Sequence, residues 1–310
     1  MRGIMFRARG VTEIVDEPEP TCGDHQILLR TLYSAVSNGT ERSFLMGGPY
    51  GGKKWPNRIG YLAVSEIVET GRDVTRFQTG QVVYTGTSPG HVAYHTADED
   101  DLIAPVPVDL DRRAATMLGL AGVSAFNARR VQVSAADRVL VTGAGGIGLT
   151  ALQVARAAGA CVTLVSRTQS RRELGMRLGA DDAFDPDAEP KRLFEAGPHQ
   201  VLLECAGADL DALIQPGQAL LDRFARVALI AGRARVEYNF LWASLLRLSL
   251  HQSTHFDQPA LDAVVAQAAA GTLNLEALVQ DVVPVAEAVQ VYDELRDDPM
   301  ARGGTVFDWS

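Results

Sequence analysis

The six residues Gly143-Ala144-Gly145-Gly146-Ile147-Gly148 lie between the apolar run RVLVT and the helically spaced run IGLTALQVARAAG. They satisfy G-x-G-x-x-G. In that pattern the first glycine, Gly143, permits a tight turn after a strand. The second, Gly145, lets a pyrophosphate reach the backbone, and the third, Gly148, lets helix and strand pack closely. A helix beginning at Gly146 and Ile147 offers free N–H groups and the positive end of its dipole to phosphates. Glycines often merely end strands, so the pattern alone is weak. Its strand–turn–helix setting is what turns it into a dinucleotide site.

About twenty residues on, LVSRTQSRRE closes the next predicted strand. A site for NAD places a carboxylate there, accepting from the ribose hydroxyls. Ser166 stands in its place, with Arg167 beside it and Arg171 and Arg172 one turn later. A carboxylate would repel a 2′-phosphate, whereas a hydroxyl and guanidinium groups bond it. Cations at a helix N-terminus are mildly unfavourable without an anion nearby. Ser166, Arg167 and Arg171 therefore predict NADP(H) over NAD. Cys205, at the end of the run QVLLECAG, sits where such a strand end faces the nicotinamide; its plainer role is a small buried side chain.

These residues need a parallel sheet to position them, and the pattern after residue 110 supplies one. From Arg138, strands (RVLVT, CVTLV, QVLLECAG, ARVALIAG) alternate with helices, including 211–224 and 259–271. Alternation of this kind implies βαβ crossovers. The first third instead shows short alternating β-rich runs broken by Gly, Pro and Asp, as in a small barrel or curled sheet. The tail returns a strand near Asp281, a helix over 285–296 and a last strand GTVFD. At 310 residues, with 46% apolar and 22% charged residues, two soluble domains are expected. A net charge of -9 argues against nucleic acid or an anionic membrane as partner. The apolar run FLWASLLRLSL is too short for a membrane span and carries Arg247. The start lacks a signal-peptide core, and three dispersed cysteines form neither a disulfide framework nor a zinc knuckle, so a cytoplasmic chain is expected. The apolar strand ARVALIAG is expected at a sheet edge, where pairing across a two-fold axis would make a homodimer.

The order of parts resembles the medium-chain dehydrogenase/reductase superfamily over nearly the whole chain. The stretches that carry the resemblance are YLAVSEIVETG then GQVVYTG, LGLAGVSAFNA, VLVTGAGGIG, RELGMRLGADDAFD and PVAEAVQVYDELRDD. It implies an α/β chain: a GroES-like β-rich catalytic domain over 1–122, completed by 276–310, and a Rossmann doubly wound NADP-binding domain over 123–275. The active site would lie in the cleft between them. Zinc-type members hold a catalytic metal with a Cys in GxCGTD and a His in GHE. Here those stretches read SAVSNGTER and IGYLAVSE, so Ser37 or Asn38 stands for the cysteine and Tyr61 for the histidine. A hydroxyl and a phenol are poor zinc ligands, the structural zinc lobe is missing, and His25, His91, His95, His199, His251 and His255 form no ligand set, so no metal is expected. Within the superfamily, GTER followed by an aromatic, Met and Gly, then Gly-Tyr, is most similar to bacteriochlorophyllide hydroxyethyl dehydrogenases and related oxidoreductases of specialised metabolism.

Without a metal, side chains must polarise the substrate oxygen and move its proton. The resemblance points to Tyr61, at the histidine's place, Glu41, at the Asp of GTD, and Thr40 as a neighbouring relay hydroxyl. His91 and His95, on GHVAYHT, are weaker candidates. The loop over 44–58, with paired glycines, Lys53, Lys54 and Trp55, reads either as a solvated surface loop or as a lid for a ring-bearing or anionic substrate. The expectation is an NADPH-dependent reductase of a ketone on a small molecule. Two other readings are reduction of a conjugated C=C bond and NADPH binding without turnover.

Overall fold

A computed structural model describes every residue except Tyr50, within the 44–58 loop, and Pro216, within the helix expected over 211–224. The chain opens with β1 (Arg2–Ala8), β2 (Val11–Asp16), β3 (Gln26–Ala35), α1 (Asn38–Met46), β4 (Ala63–Thr70), β5 (Val82–Thr85), β6 (Tyr94–Asp98) and β7 (Ile103–Pro105). After α2 (Arg112–Ala115) and α3 (Leu118–Arg130) come β8 (Arg138–Thr142), α4 (Gly146–Ala157), β9 (Cys161–Val165), α5 (Gln169–Arg177) and β10 (Asp182–Phe184). Next are α6 (Pro190–Glu195), β11 (His199–Glu204), α7 (Leu210–Ile214), β12 (Leu221–Leu229), α8 (Phe240–Leu246), β13 (Ser249–Gln252) and α9 (Gln258–Ala269). The tail adds β14 (Asp281–Pro284), α10 (Ala288–Asp297) and β15 (Thr305–Asp308). Two compact units result, Met1–Gly119 with Leu275–Ser310, and Leu120–Asn274.

The first unit is GroES-like. Its larger sheet runs β14-β15-β3-β4-β5-β7, with β6 also on β3, and β1 and β2 form a separate ribbon. The chain's two ends meet in it, because β15 pairs antiparallel with β3 through Val306↔Ala35 and Asp308↔Tyr33. Its cores gather Ile27, Leu29, Ile67 and Val83 in one cluster, and Phe6, Leu45, Tyr292 and Phe307 in another. Helix α1 ends at Gly47, whose φ of 73° is the left-handed conformation that closes helices.

The second unit is a Rossmann sheet of six strands ordered β10-β9-β8-β11-β12-β13 and parallel throughout. β8 and β9 are buried beyond their first residue, as strands covered on both faces must be. The order reverses between β8 and β11, and ligands of doubly wound sheets bind outside the carboxyl ends at such a point.

Two expectations are corrected here. The helix expected over 211–224 ends at Ile214, and the chain is already extended at Leu221, where it pairs with His199 of β11. Positive φ at Gly217 and Ala219 separates the two elements. The run ARVALIAG is also not an edge. Val227 pairs with Leu202 on one side and Leu250 on the other, so β13 is the edge. β13 went unread because it has only four residues, SLHQ, too few for a period-two signal. Among the described residues no helix is long and apolar enough to cross a membrane.

Candidate functional site

In the nucleotide-binding unit the glycine turn follows β8 directly. Gly143 has φ of 81°, which glycine adopts without strain. A Cβ on Gly148 would stand 1.8 Å from the Gly143 carbonyl oxygen, so the helix sits on the turn only because that atom is missing. A Cβ on Gly145, by contrast, would meet nothing within 4 Å. Gly145 is the N-cap of α4 and no side chain caps the helix, leaving the N–H groups around Gly146 and Ile147 to an incoming group. Open space over an uncapped helix start fits a pyrophosphate.

Ser166 follows β9 and anchors the next turn, its Oγ accepting from the Thr168 N–H at 3.4 Å. The arginines divide by role. Arg172 is committed to the protein, donating to the Ser166 carbonyl at 2.7 Å and facing Asp185 at 3.5 Å. Arg167 is exposed, and burial pulls Arg171 below the ordinary guanidinium range. α5 starts without a side-chain cap, so Arg171 stands on its first turn beside uncapped N–H groups. Cys205 donates its N–H to the Thr142 carbonyl at 3.1 Å. Burial pushes its thiol up to about 12, which makes it a neutral packing group.

In the GroES-like unit, Ser37 precedes α1 and Tyr61 precedes β4. Tyr61 Oη and Ser37 Oγ are 2.8 Å apart, and the Tyr61 carbonyl accepts from the Tyr84 hydroxyl at 2.9 Å. Sequence reasoning named Ser37 only as a possible stand-in for the cysteine and did not pair it with Tyr61. Asn38, the other stand-in, donates its amide to the Ala301 carbonyl at 2.5 Å. Thr40 is half-buried on the first turn of α1.

Glu41 requires a correction. It was expected to face substrate, but it has no exposed surface. Its Oε1 accepts the Ser37 N–H at 2.7 Å, and its Oε2 accepts the Tyr292 hydroxyl at 2.5 Å. His91 Nε2 stands 3.2 Å from Oε2, an electrostatic contact rather than an aligned hydrogen bond. The His91 ring continues the network, Nδ1 lying 2.7 Å from Ser34 Oγ, which accepts from the Trp309 indole at 2.8 Å. An indole N–H only donates. The arrangement that also satisfies Ser34's own proton sends it to Nδ1 and leaves the ring proton on Nε2, facing Glu41. Burial and the Glu41 charge hold the Tyr292 phenol well above its usual range. Phe307 packs edge-on against His91 at 5.4 Å. Glu41 thus grips the Ser37 backbone, and the Ser37 side chain meets Tyr61. A reach-through contact from Glu41 to a small molecule has no free oxygen to use.

His95 is a core histidine, 5% exposed and 3.4 Å from Thr85 Oγ1, and burial lowers it to about 4. The 44–58 loop is tied down over its second half. Trp55, like Phe44, Met46, Ile59 and Trp309, packs against the buried cluster of Phe6, Leu45, Tyr292 and Phe307, and Asn57 exchanges backbone bonds with Phe6. Arg58 reaches both Glu17 oxygens at 2.6 and 2.7 Å. The flat face of Trp55 is spent on the core, and Lys53 and Lys54 remain exposed.

The zinc-binding dehydrogenase family model matches residues 146–264. The chain is 27% identical to a sorbitol dehydrogenase of Halalkalibacterium halodurans, covering 73% of this chain and 76% of that protein. It is 27% identical to human quinone oxidoreductase over 77% of this chain and 75% of that one. It is 26% identical to 2-desacetyl-2-hydroxyethyl bacteriochlorophyllide A dehydrogenase of Rhodobacter capsulatus, over 96% and 94%. Among solved structures, galactitol-1-phosphate dehydrogenase from Escherichia coli superposes with a TM-score of 0.87 at 16% identity, each chain fully covered. The chain belongs to the medium-chain dehydrogenase/reductase superfamily. It is an oxidoreductase of that superfamily.

The family model's name raises the question of metal, yet its match lies wholly within the nucleotide-binding unit. At the positions that the resemblance matches to metal ligands stand a hydroxyl, an amide and a phenol, the first and last bonded to each other and the amide to a carbonyl. That donor set does not fit zinc, which favours thiolate, imidazole and carboxylate. Among the described residues no group of three or more His, Cys, Asp or Glu side chains stands where it could hold a metal ion.

Proposed function

We propose that this protein is an NADPH-dependent, zinc-independent oxidoreductase that interconverts a ketone and a secondary alcohol on a small or ring-bearing metabolite. The observation that carries the reading is the Tyr61–Ser37 hydroxyl pair, 2.8 Å apart, standing where zinc-type relatives keep metal ligands. NADPH, bound over Gly143, Gly145, Gly146, Ile147 and Gly148 with its 2′-phosphate at Ser166, Arg167 and Arg171, supplies the hydride. Tyr61 donates its proton to the substrate oxygen as negative charge develops there. Ser37 donates to the phenol oxygen as that proton leaves. Glu41 fixes the Ser37 backbone, and Thr40 is the neighbouring hydroxyl through which the pair can be reprotonated. The likeness to the R. capsulatus enzyme, named as a dehydrogenase of a hydroxyethyl group, supports alcohol–ketone chemistry on a ring-bearing metabolite of specialised metabolism. A cytoplasmic chain with free thiols belongs to this reading.

Kinetics with NADPH and a panel of cyclic ketones test it. Tyr61→Phe is expected to lower the reduction rate by roughly a hundred- to thousandfold, the usual loss when a donor to an oxyanion is removed, with NADPH affinity unchanged. Full activity in Tyr61→Phe, or a stoichiometric zinc by elemental analysis, sinks the mechanism. The likeness to quinone oxidoreductase favours a second reading, reduction of a conjugated C=C bond, and products from conjugated enones decide between the two.

We further propose a homodimer formed through the second unit. Its edge strand β13 follows α8, which exposes Phe240, Leu241 and Leu245. An unpaired edge beside apolar residues invites a partner edge. A monomeric mass in solution at micromolar concentration would exclude it.

A further inference from the structure

Glu204, the last residue of β11, is a carboxylate with no exposed surface that the proposed chemistry does not use. Its Oε1 accepts the Thr142 hydroxyl at 3.2 Å and the Ala206 and Ala208 N–H groups at 2.9 and 3.0 Å. Its Oε2 is paired with the Arg233 guanidinium. Arg233 also donates to the Ala208 and Ala231 carbonyls, both at 3.1 Å. The Glu204 carbonyl in turn accepts from Ile230 and Ala231 at 2.9 and 3.0 Å. One ion pair therefore shapes both loops that leave the carboxyl ends of β11 and β12, and ties them to Thr142 at the foot of the glycine turn. The fit there is close: a Cβ on Gly143 would come within 3.0 Å of Ala206 Cβ.

We infer that Glu204 and Arg233 are the positioning pair of the nicotinamide half of the cofactor site and balance its affinity for oxidised against reduced nucleotide. The inference rests on the nucleotide site proposed above. The strand order reverses between β8 and β11, and the adenosine side lies over β9 with Ser166. The ends of β11 and β12 fall on the opposite, nicotinamide side. Stability does not explain the pair, since a buried ion pair is often no better than apolar residues of the same volume. It is, however, sensitive to a third charge. The oxidised nicotinamide ring carries a positive charge and the reduced ring does not. With both partners present, the pair is neutral toward that difference. A carboxylate left alone favours the cationic ring, and a guanidinium left alone disfavours it.

The test is calorimetric titration of NADP+ and NADPH, at pH 8, into the full-length protein and its variants. Arg233→Met is expected to shift the affinity ratio toward NADP+, and Glu204→Gln toward NADPH, each by roughly three- to tenfold for a unit charge at an effective dielectric near 20. The double variant is expected to return near the wild-type ratio. Arg233→Gln, which keeps donors for Ala208 and Ala231, serves if Arg233→Met does not fold, and the sign of its shift decides equally. A purely structural role would weaken both nucleotides alike, so unchanged ratios, or shifts of the same sign in both single variants, overturn the inference. Wild-type protein that binds neither nucleotide would instead sink the proposed function.

Discussion

The glycine turn and the Ser37–Tyr61 cluster are built on opposite plans. The turn lies within six consecutive residues and consists of backbone and missing side chains, its key contact being the space that Gly148 leaves beside the Gly143 carbonyl. The cluster consists of side chains, drawn from Ser34, Ser37 and Glu41 near one end of the chain and Tyr292 and Trp309 near the other. Its bonds span 251 residues between Glu41 and Tyr292, and 275 between Ser34 and Trp309. A phosphate asks for N–H groups in one local geometry, which a strand, a turn and a helix supply together. Proton transfer asks for donors whose positions are fixed from several directions, and packing of distant segments provides that. The turn should therefore fail through backbone clashes, and the cluster through loss of buried partners.

Glu41→Ala probes the cluster hardest. It strands the Tyr292 hydroxyl, the Ser37 N–H and His91 in the core, and is expected to cost about 3–5 kcal/mol of stability in denaturant titrations. Nucleotide affinity of the protein that remains folded should be unchanged. A variant as stable as wild type would mean that the network does not hold the Ser37 turn. Gly148→Ala probes the turn: its Cβ would press on the Gly143 carbonyl oxygen, and nucleotide affinity is expected to fall by about a hundredfold, or roughly 2.8 kcal/mol. Wild-type affinity there would mean that the turn relaxes freely.

A smaller effect is expected from the phosphate clamp. Arg171→Ala should weaken NADPH by about 1.5–3 kcal/mol while leaving NADH alone, with Arg167→Ala acting in the same direction. Equal wild-type affinity for the two cofactors would remove the clamp. The smallest effect comes from a residue in neither region. His95 titrates near 4 when folded against 6.5 otherwise, because burial disfavours its cation. Between those values the unfolded chain takes up a proton that the folded chain refuses. Stability is then full above pH 6.5 and lost as the pH falls, by about 2 kcal/mol at pH 5. His199, lowered for the same reason, adds to the trend. His95→Gln should flatten the acid slope in chemical melts; an unaltered slope would assign it to other groups.

The difference in plan also separates what could be read in advance. β8, the glycine turn, α4 and β9 follow from apolar runs of the right period around a six-residue motif, because each depends on neighbours in the chain. That Ser37 or Asn38, and Tyr61, are poor donors for zinc was equally legible, since residue type alone decides donor chemistry. The 2.8 Å contact between Ser37 and Tyr61 was not, because no pattern links positions 24 apart on separate elements. Nor was the interior place of β12, which depends on a four-residue strand from beyond α8. Glu41 shows the limit most plainly. Its place at the Asp of GTD suggested a group facing substrate, but its exposure is set by Tyr292 of α10 and by His91 closing over it. Residue type and local period are properties of the sequence. Burial is a property of what arrives from elsewhere in the chain, and for a carboxylate it decides between facing the surroundings and holding a neighbouring turn in place.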